Sequence, residues 1–201
     1  MKTFLERAKG SPLTIISTCA DHFGAIASLS SHTKRIRHLN FVHNHWAGIQ
    51  RFSETLTGPL PLLYTITIDL YQDPDDTDVT ISPSVSLFSG AVNLKEFFFR
   101  SKIPPSLNCF FFPNLPEFEL WTGTEAGSSA SQLLDFLDAS PMLRTVSLKV
   151  IDILPENVPQ ERIVVLPNVE TISMLVNDGR PCYGIAAHVS CPSAKLTSFL
   201  H

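Results

Sequence analysis

The chain has 201 residues, 44% apolar and 17% charged, with 15 basic and 19 acidic side chains and a net charge of −4. So low a charged fraction argues for ordered, well-buried material rather than disorder, and the acid excess excludes the basic footprint that neutralises phosphates, leaving nucleic acid an unexpected partner. The longest apolar runs, such as Ile163 to Leu166, fall far short of the ~18 residues of a membrane-spanning helix.

In chain order, Phe4, Leu5 and Ala8 mark one side of a short amphipathic helix that Gly10 ends. Lys2, Glu6, Arg7 and Lys9 interrupt what would be the apolar core of a signal peptide, so an intracellular, cytoplasmic or nuclear, protein is expected. Leu13 to Ile16 reads as a strand, and Phe23, Ile26 and Leu29 as a helix stripe with Asp21 as its N-cap. Arg37 to Val42 is the next strand, followed by Trp46, Ile49, Phe52 and Leu56 at helical spacing and by Gly58-Pro59 as a stop. From Leu63 to Tyr71 threonine alternates with isoleucine, the cleanest period-two signal in the chain, and Asp73 to Asp78 reads as a solvated loop. Between Leu94 and Leu115 there is little room for a helix, and Ile103-Pro104-Pro105-Ser106 favours extended or turn backbone. Leu133, Leu134, Phe136 and Leu137 form a helix before Pro141, whereas the segments around Pro155 and Pro159 and from Asn177 to Pro192 read as irregular, short helix or turn.

One pattern recurs through these elements. Pro141-Met142-Leu143-Arg144-Thr145-Val146-Ser147-Leu148 contains Leu-x-x-Val-x-Leu, and copies begin at Ile36, Leu63, Leu94, Leu115, Val169 and Leu196, with a degenerate first copy at Leu13. Such a period predicts an α/β solenoid, with a parallel sheet on the concave face and irregular helices and turns on the convex one, built as a single domain over residues 1–201 from about seven to eight repeats. Apolar positions one, four and six point inward and positions three, five and seven outward. A proline ahead of most copies is expected to impose extended geometry on the strand entry. The four cysteines, Cys19, Cys109, Cys182 and Cys191, lack CxxC spacing and read as reduced and mostly buried.

With its proline-broken connections and steps near 27 residues, the pattern looks like a leucine-rich repeat. More narrowly, Phe4 to Leu13 and Arg35-Ile36-Arg37-His38-Leu39-Asn40-Phe41 resemble the irregular leucine-rich-repeat region of the F-box-like proteins of mushroom-forming fungi, over nearly the entire chain. The family's asparagine three residues past the last core position occurs only as Asn44 and Asn177, so most turns are expected to close without a side-chain ladder. The resemblance implies recognition of a protein substrate for a Skp1-cullin-F-box ubiquitin ligase. The F-box itself is absent, so the chain reads as the recognition arm, a fragment or a freestanding relative, and Skp1 would be a partner only if an F-box were supplied.

The outward positions include Phe98, Arg100, Glu117, Glu119, Trp121 and Lys149, aromatic and arginine anchors ringed by polar groups, the composition of a protein-binding hot spot. Cover by a neighbouring loop or by a terminal cap is the even alternative for Phe98 and Trp121. Phe97-Phe98-Phe99 must split across the two faces, and Phe110-Phe111-Phe112 reads as core packing in the connection. His38, His43 and His45 lack a further ligand for zinc, Asp73 to Asp78 lacks the glycine and terminal glutamate of a calcium loop, and Gly123 to Ser128 lacks a P-loop lysine. No GxSxG, HExxH or Cys-His triad context is present. No cofactor or metal is expected. The leading expectation is a non-catalytic interaction module; the rivals are a hydrolase-like enzyme using Glu117 and Glu119 and a structural remnant without its own partner.

Overall fold

A computed structural model describes residues 5, 7–8, 10–18, 27–43, 46–56, 58–70, 86–101, 107–122, 130–150, 161–175 and 183–198. The expectations for Asp21, Phe23 and Ile26, for Asn44 and His45, for Asp73 to Asp78, Ile103 to Ser106, Gly123 to Ser128 and Asn177 lie outside them.

The protein is α/β. Eight strands form one parallel sheet whose spatial order follows the chain: β1 (Leu13–Ser17), β2 (Ile36–His43), β3 (Thr65–Leu70), β4 (Glu96–Ser101), β5 (Glu117–Thr122), β6 (Thr145–Val150), β8 (Thr171–Leu175) and β10 (Lys195–Ser198). Two helices, α1 (Trp46–Thr55) and α2 (Ala130–Asp138), lie in the connections after β2 and β5. The short step after β4 holds only a 3-10 turn at Leu107–Cys109.

Alternation within each strand fixes the two faces. In β3, β4 and β5 every second side chain is buried, and register aligns like with like: Ile66, Phe97, Phe118, Val146 and Ile172 are successive partners, as are Ile68, Phe99, Leu120, Leu148 and Met174. One strand cannot bury its own apolar face, so the stacked rows supply a continuous core.

Phenylalanine dominates the middle of that core. Phe97 is fully buried and packs against Phe99, Phe110, Phe112, Phe118 and Phe136, with Phe118 and Phe136 centroids 4.5 Å apart. The last contact ties β5 to α2, whose Leu133, Leu134 and Leu137 are also buried. Phe97 and Phe99 point inward and Phe98 outward, as alternation requires. The second run departs from expectation: Phe110 and Phe112 are buried, but Phe111 is 57% exposed, because the chain there is extended enough for neighbouring side chains to diverge.

The strand entries also differ from expectation. From Leu63 to Val169 the first residue of each pattern belongs to a tight turn, not to the strand, whereas Leu13 and Ile36 open β1 and β2. Leu196, expected to begin the last copy, instead pairs with Ile172, a fourth position, so that copy starts earlier and its turn ends at Ala194. Leu63 donates its N–H to the Leu60 carbonyl, Leu94 to Ala91, Leu115 to Phe112, Leu143 to Ser140, Val169 to Leu166 and Ala194 to Cys191, at 3.1 to 3.4 Å. Pro61, Pro113, Pro141, Pro167 and Pro192 therefore occupy the second turn position, where a fixed φ near −65° favours the turn and no N–H is required. Their role is to set the turn, not to extend the chain.

A side-chain ladder exists, in a different place from the one expected. Asn93 Nδ2 donates to the Pro61 carbonyl (3.0 Å), Asn114 Nδ2 to Val92 (3.3 Å) and Asn168 Nδ2 to Pro141 (3.0 Å), each linking the third position of one turn to the second position of its neighbour. Backbones also approach closely just ahead of these turns. A Cβ on Gly90 would stand 3.0 Å from the Gly58 carbonyl oxygen and 3.3 Å from Leu60 N, which itself bonds to the Gly90 carbonyl.

Short pairings missed by periodicity complete the molecule. β7 (Val164–Val165) and β9 (Val189–Ser190) form a separate parallel pair. His188, buried, donates Nδ1–H to the Arg162 carbonyl (2.7 Å), and Arg162 in turn reaches Asp135 of α2 (2.6 Å). At the other end Arg35 donates to the carbonyls of Leu5, Ala8 and Ser11, holding the N-terminal segment with buried Leu5 against the core. Of the cysteines within the described residues, Cys109 is buried and Cys191 half-buried, and neither is in a disulfide. No described helix is long and apolar enough to cross a membrane.

Candidate functional site

The face of the sheet turned away from the core carries three rows of side chains, set by the same register that builds the core. From β2 to β8 the first row reads His38, Thr65, Glu96, Glu117, Thr145, Thr171. The second reads Asn40, Thr67, Phe98, Glu119, Ser147, Ser173, and the third Val42, Asp69, Arg100, Trp121, Lys149, Leu175. Rows are about 6.6 Å apart along the strands and strands about 4.8 Å apart across them. All six residues singled out from sequence fall in one block on β4, β5 and β6.

Glu119 is the centre of the block. Lys149 Nζ donates to Glu119 Oε1 at 3.1 Å, and Arg100 Nη2 lies 3.9 Å from the same oxygen from the opposite side. Both cations come from the next row, so each contact is diagonal across a strand pair. The Arg100 guanidinium also lies over Trp121, 5.4 Å from the ring centroid, a cation–π arrangement that holds both groups flat on the face. Trp121 remains 46% exposed and Phe98 is half-buried.

One row away the electrostatics reverse. Glu96 and Glu117 are direct partners across β4 and β5. Glu96 Oε2 accepts a hydrogen bond from the Thr65 hydroxyl at 2.7 Å, while no cation pairs with Glu117 among the described residues. Burial first, then the charge on Glu96, then that on Glu119 hold the Glu117 carboxyl above its ordinary 4.5. Glu96 is a member of this site that composition alone did not single out; its signal is its register opposite Glu117.

Chemically the block can present a carboxylate pair, an aromatic surface and a partly satisfied pair of cations. Among the described residues there is no group of three or more His, Cys, Asp or Glu side chains placed to hold a metal. A second aromatic cluster, with Arg37 5.6 Å over Tyr64 and His38 6.2 Å from the same ring, lies toward β2. Comparison with known proteins returns no matching family model, no matching curated protein and no matching solved structure.

Proposed function

We propose that the chain is a leucine-rich-repeat solenoid acting as a non-catalytic protein-interaction module, with the face built from Phe98, Arg100, Glu117, Glu119, Trp121 and Lys149 as its binding surface. The sequential parallel sheet and the stacked turns support the solenoid. The observation that carries the binding role is Trp121, 46% exposed with Arg100 over its ring and Phe98 in the neighbouring row, on a face whose other rows are mostly polar. Interface hot spots are enriched in these two residue types, and the flanking Thr and Ser rows supply a polar rim. Glu119 serves as a clamp between two cations rather than as a free carboxylate for acid–base chemistry. By the sequence resemblance, the partner belongs to the substrates of a ubiquitin ligase, with Skp1 reached through an F-box supplied from elsewhere.

The test is quantitative affinity purification of the chain beside Phe98→Ala/Trp121→Ala, with a thermal melt confirming that both are folded. Proteins retained by the parent and lost by the variant support the face; identical sets remove it.

A further inference from the structure

The turn ladder has a first rung that is not an amide. Leu13 pairs with Ile36, and Arg35 stands just ahead of Ile36, third in the turn that closes with the Ile36 N–H on the Thr33 carbonyl. Arg35 Nε donates to the Ser11 carbonyl at 3.0 Å. Ser11 precedes Leu13 by two residues, as Pro61 precedes Leu63 and Val92 precedes Leu94. The guanidinium therefore makes the contact that Asn93, Asn114 and Asn168 make in later turns. An amide stops there, but the guanidinium goes on, through Nη1 to the Leu5 carbonyl (3.4 Å) and through Nη2 to the Ala8 carbonyl. Its rigid fork of donors serves three acceptors spaced three residues apart.

Few other contacts hold the segment so bound. Among the described residues, every hydrogen bond from the rest of the chain to residues 5–11 comes from the Arg35 side chain. Leu5 is buried in the core, and Ala8 packs against it only partly buried. The Ser11 N–H bonds within the segment, to the Ala8 carbonyl, and Gly10, at φ 70°, makes the turn toward β1 that a side chain would resist. The middle strands are held quite differently: β3 to β6 each have a paired strand on both sides, and the rows beneath them are fully buried.

We propose that residues 5–11 are a cap that opens and closes on the β1 end of the sheet as a unit, independently of the strands behind it, with Arg35 as its latch. The cap leaves by giving up one buried side chain and the bonds of one guanidinium, so it opens at a lower free energy than the paired strands. Each opening withdraws Leu5 from the core and uncovers apolar surface at the end of the sheet, where no described strand stands beyond β1. The substitution of arginine for asparagine at this one rung is what joins the cap to the array.

The test is native-state hydrogen exchange on the full chain, read at the Ser11 amide and across β3 to β6, for the parent, Arg35→Asn, Arg35→Ala and Leu5→Ala. Arg35→Asn separates the two roles of the side chain, because its amide can keep the rung to Ser11 but is too short for Ala8 and Leu5. In the parent, Ser11 should exchange faster than the β3 to β6 amides. Arg35→Asn should speed Ser11 by at least about ten-fold and leave β3 to β6 unchanged. Arg35→Ala should speed it at least as much, and Leu5→Ala should open the same cap from its apolar side. Exchange of Ser11 at the β3 to β6 rate in the parent would mean that the segment leaves only with global unfolding, and overturns the proposal. So does a Ser11 rate that neither Arg35 variant moves, or equal acceleration of Ser11 and β3 to β6 in every variant.

Discussion

Glu96 and Glu117 stand opposite one another on neighbouring parallel strands, and among the described residues only the first accepts a side-chain hydrogen bond, from the Thr65 hydroxyl. Like charges paired across a sheet destabilise it by ~0.2–1 kcal/mol, and the carboxyl of Glu117 is accordingly held above its ordinary 4.5. An acid whose pKa is higher folded than unfolded binds its proton more tightly in the native state. Stability is therefore lost as pH rises from 4.5 through the folded value, and the penalty persists above it. Glu117→Gln should raise stability at pH 7 by at most ~1 kcal/mol, discounted for the group's exposure, and the gain should disappear below pH 4.5. Urea melts at pH 7 and pH 4 check this; an equal gain at both would take the charge out of the explanation.

Glu119 sits between two cations and should behave in the opposite way. Removing its charge with Glu119→Gln takes away the one carboxylate that Arg100 and Lys149 share, leaving Asp69 as the neighbouring acid of Arg100 alone. Both partners are well exposed, so the cost should be only ~0.2–1 kcal/mol, and it should shrink in 1 M salt because the pairs are screened there. A loss unchanged by salt would point to packing of the Glu119 stem instead.

The faces of each strand were legible in the sequence, since alternation between a core and a solvated side forces period two. The register was legible too: Phe97 opposite Phe118 opposite Val146 follows once the Leu-x-x-Leu-x-Leu copies are aligned. That alignment alone brought Phe98, Arg100, Glu119, Trp121 and Lys149 into one block. Side-chain convergence was not legible, because the diagonal reach of Arg100 and Lys149 to one oxygen depends on rotamers, not on spacing. The asparagine ladder escaped because Asn93, Asn114 and Asn168 occupy three of six turns, with Leu62, Met142 and Ser193 in the others. β7 and β9 are two residues long, shorter than any period.

That ladder makes a prediction of its own. Asn114→Ala removes a 3.3 Å bond to the Val92 carbonyl, and Asn93→Ala a 3.0 Å bond to Pro61, both at exposed positions. Each should cost about 0.5–1.5 kcal/mol, and Met142→Asn, which supplies a new amide at the equivalent turn position, should gain a similar or smaller amount. Chemical denaturation of the three variants tests this; a neutral Asn93→Ala would reduce the ladder to a surface ornament.

Neighbouring residues of the Phe110 to Phe112 run should respond in opposite ways. Phe112 is 2% exposed and packs 5.2 Å from Phe97, so Phe112→Ala should cost ~3–5 kcal/mol through lost burial and a residual cavity. Phe111 is 57% exposed, and Phe111→Ala should fall within about 0.5 kcal/mol of the parent. Comparable losses at both positions would mean that the chain turns differently between Leu107 and Leu115.

Cys109 is buried in the same core cluster and reports on its opening. Burial pushes its thiol up to about 12, with a backbone hydrogen bond only partly opposing the shift. Thiolate is the reactive form, so at pH 8 the native thiol is ionised to only about one part in 10⁴, and 2% exposure keeps reagent away from it. Peptide mapping after alkylation at pH 8 should find Cys109 unmodified in the folded protein and modified at the rate of global unfolding in urea. Half-buried Cys191, raised by burial alone, should react earlier. Phe112→Ala removes a side chain of the same buried cluster, so Cys109 labelling should quicken in proportion to the lost stability, and labelling that stayed slow in that variant would separate opening at the thiol from the stability of the Phe97 cluster.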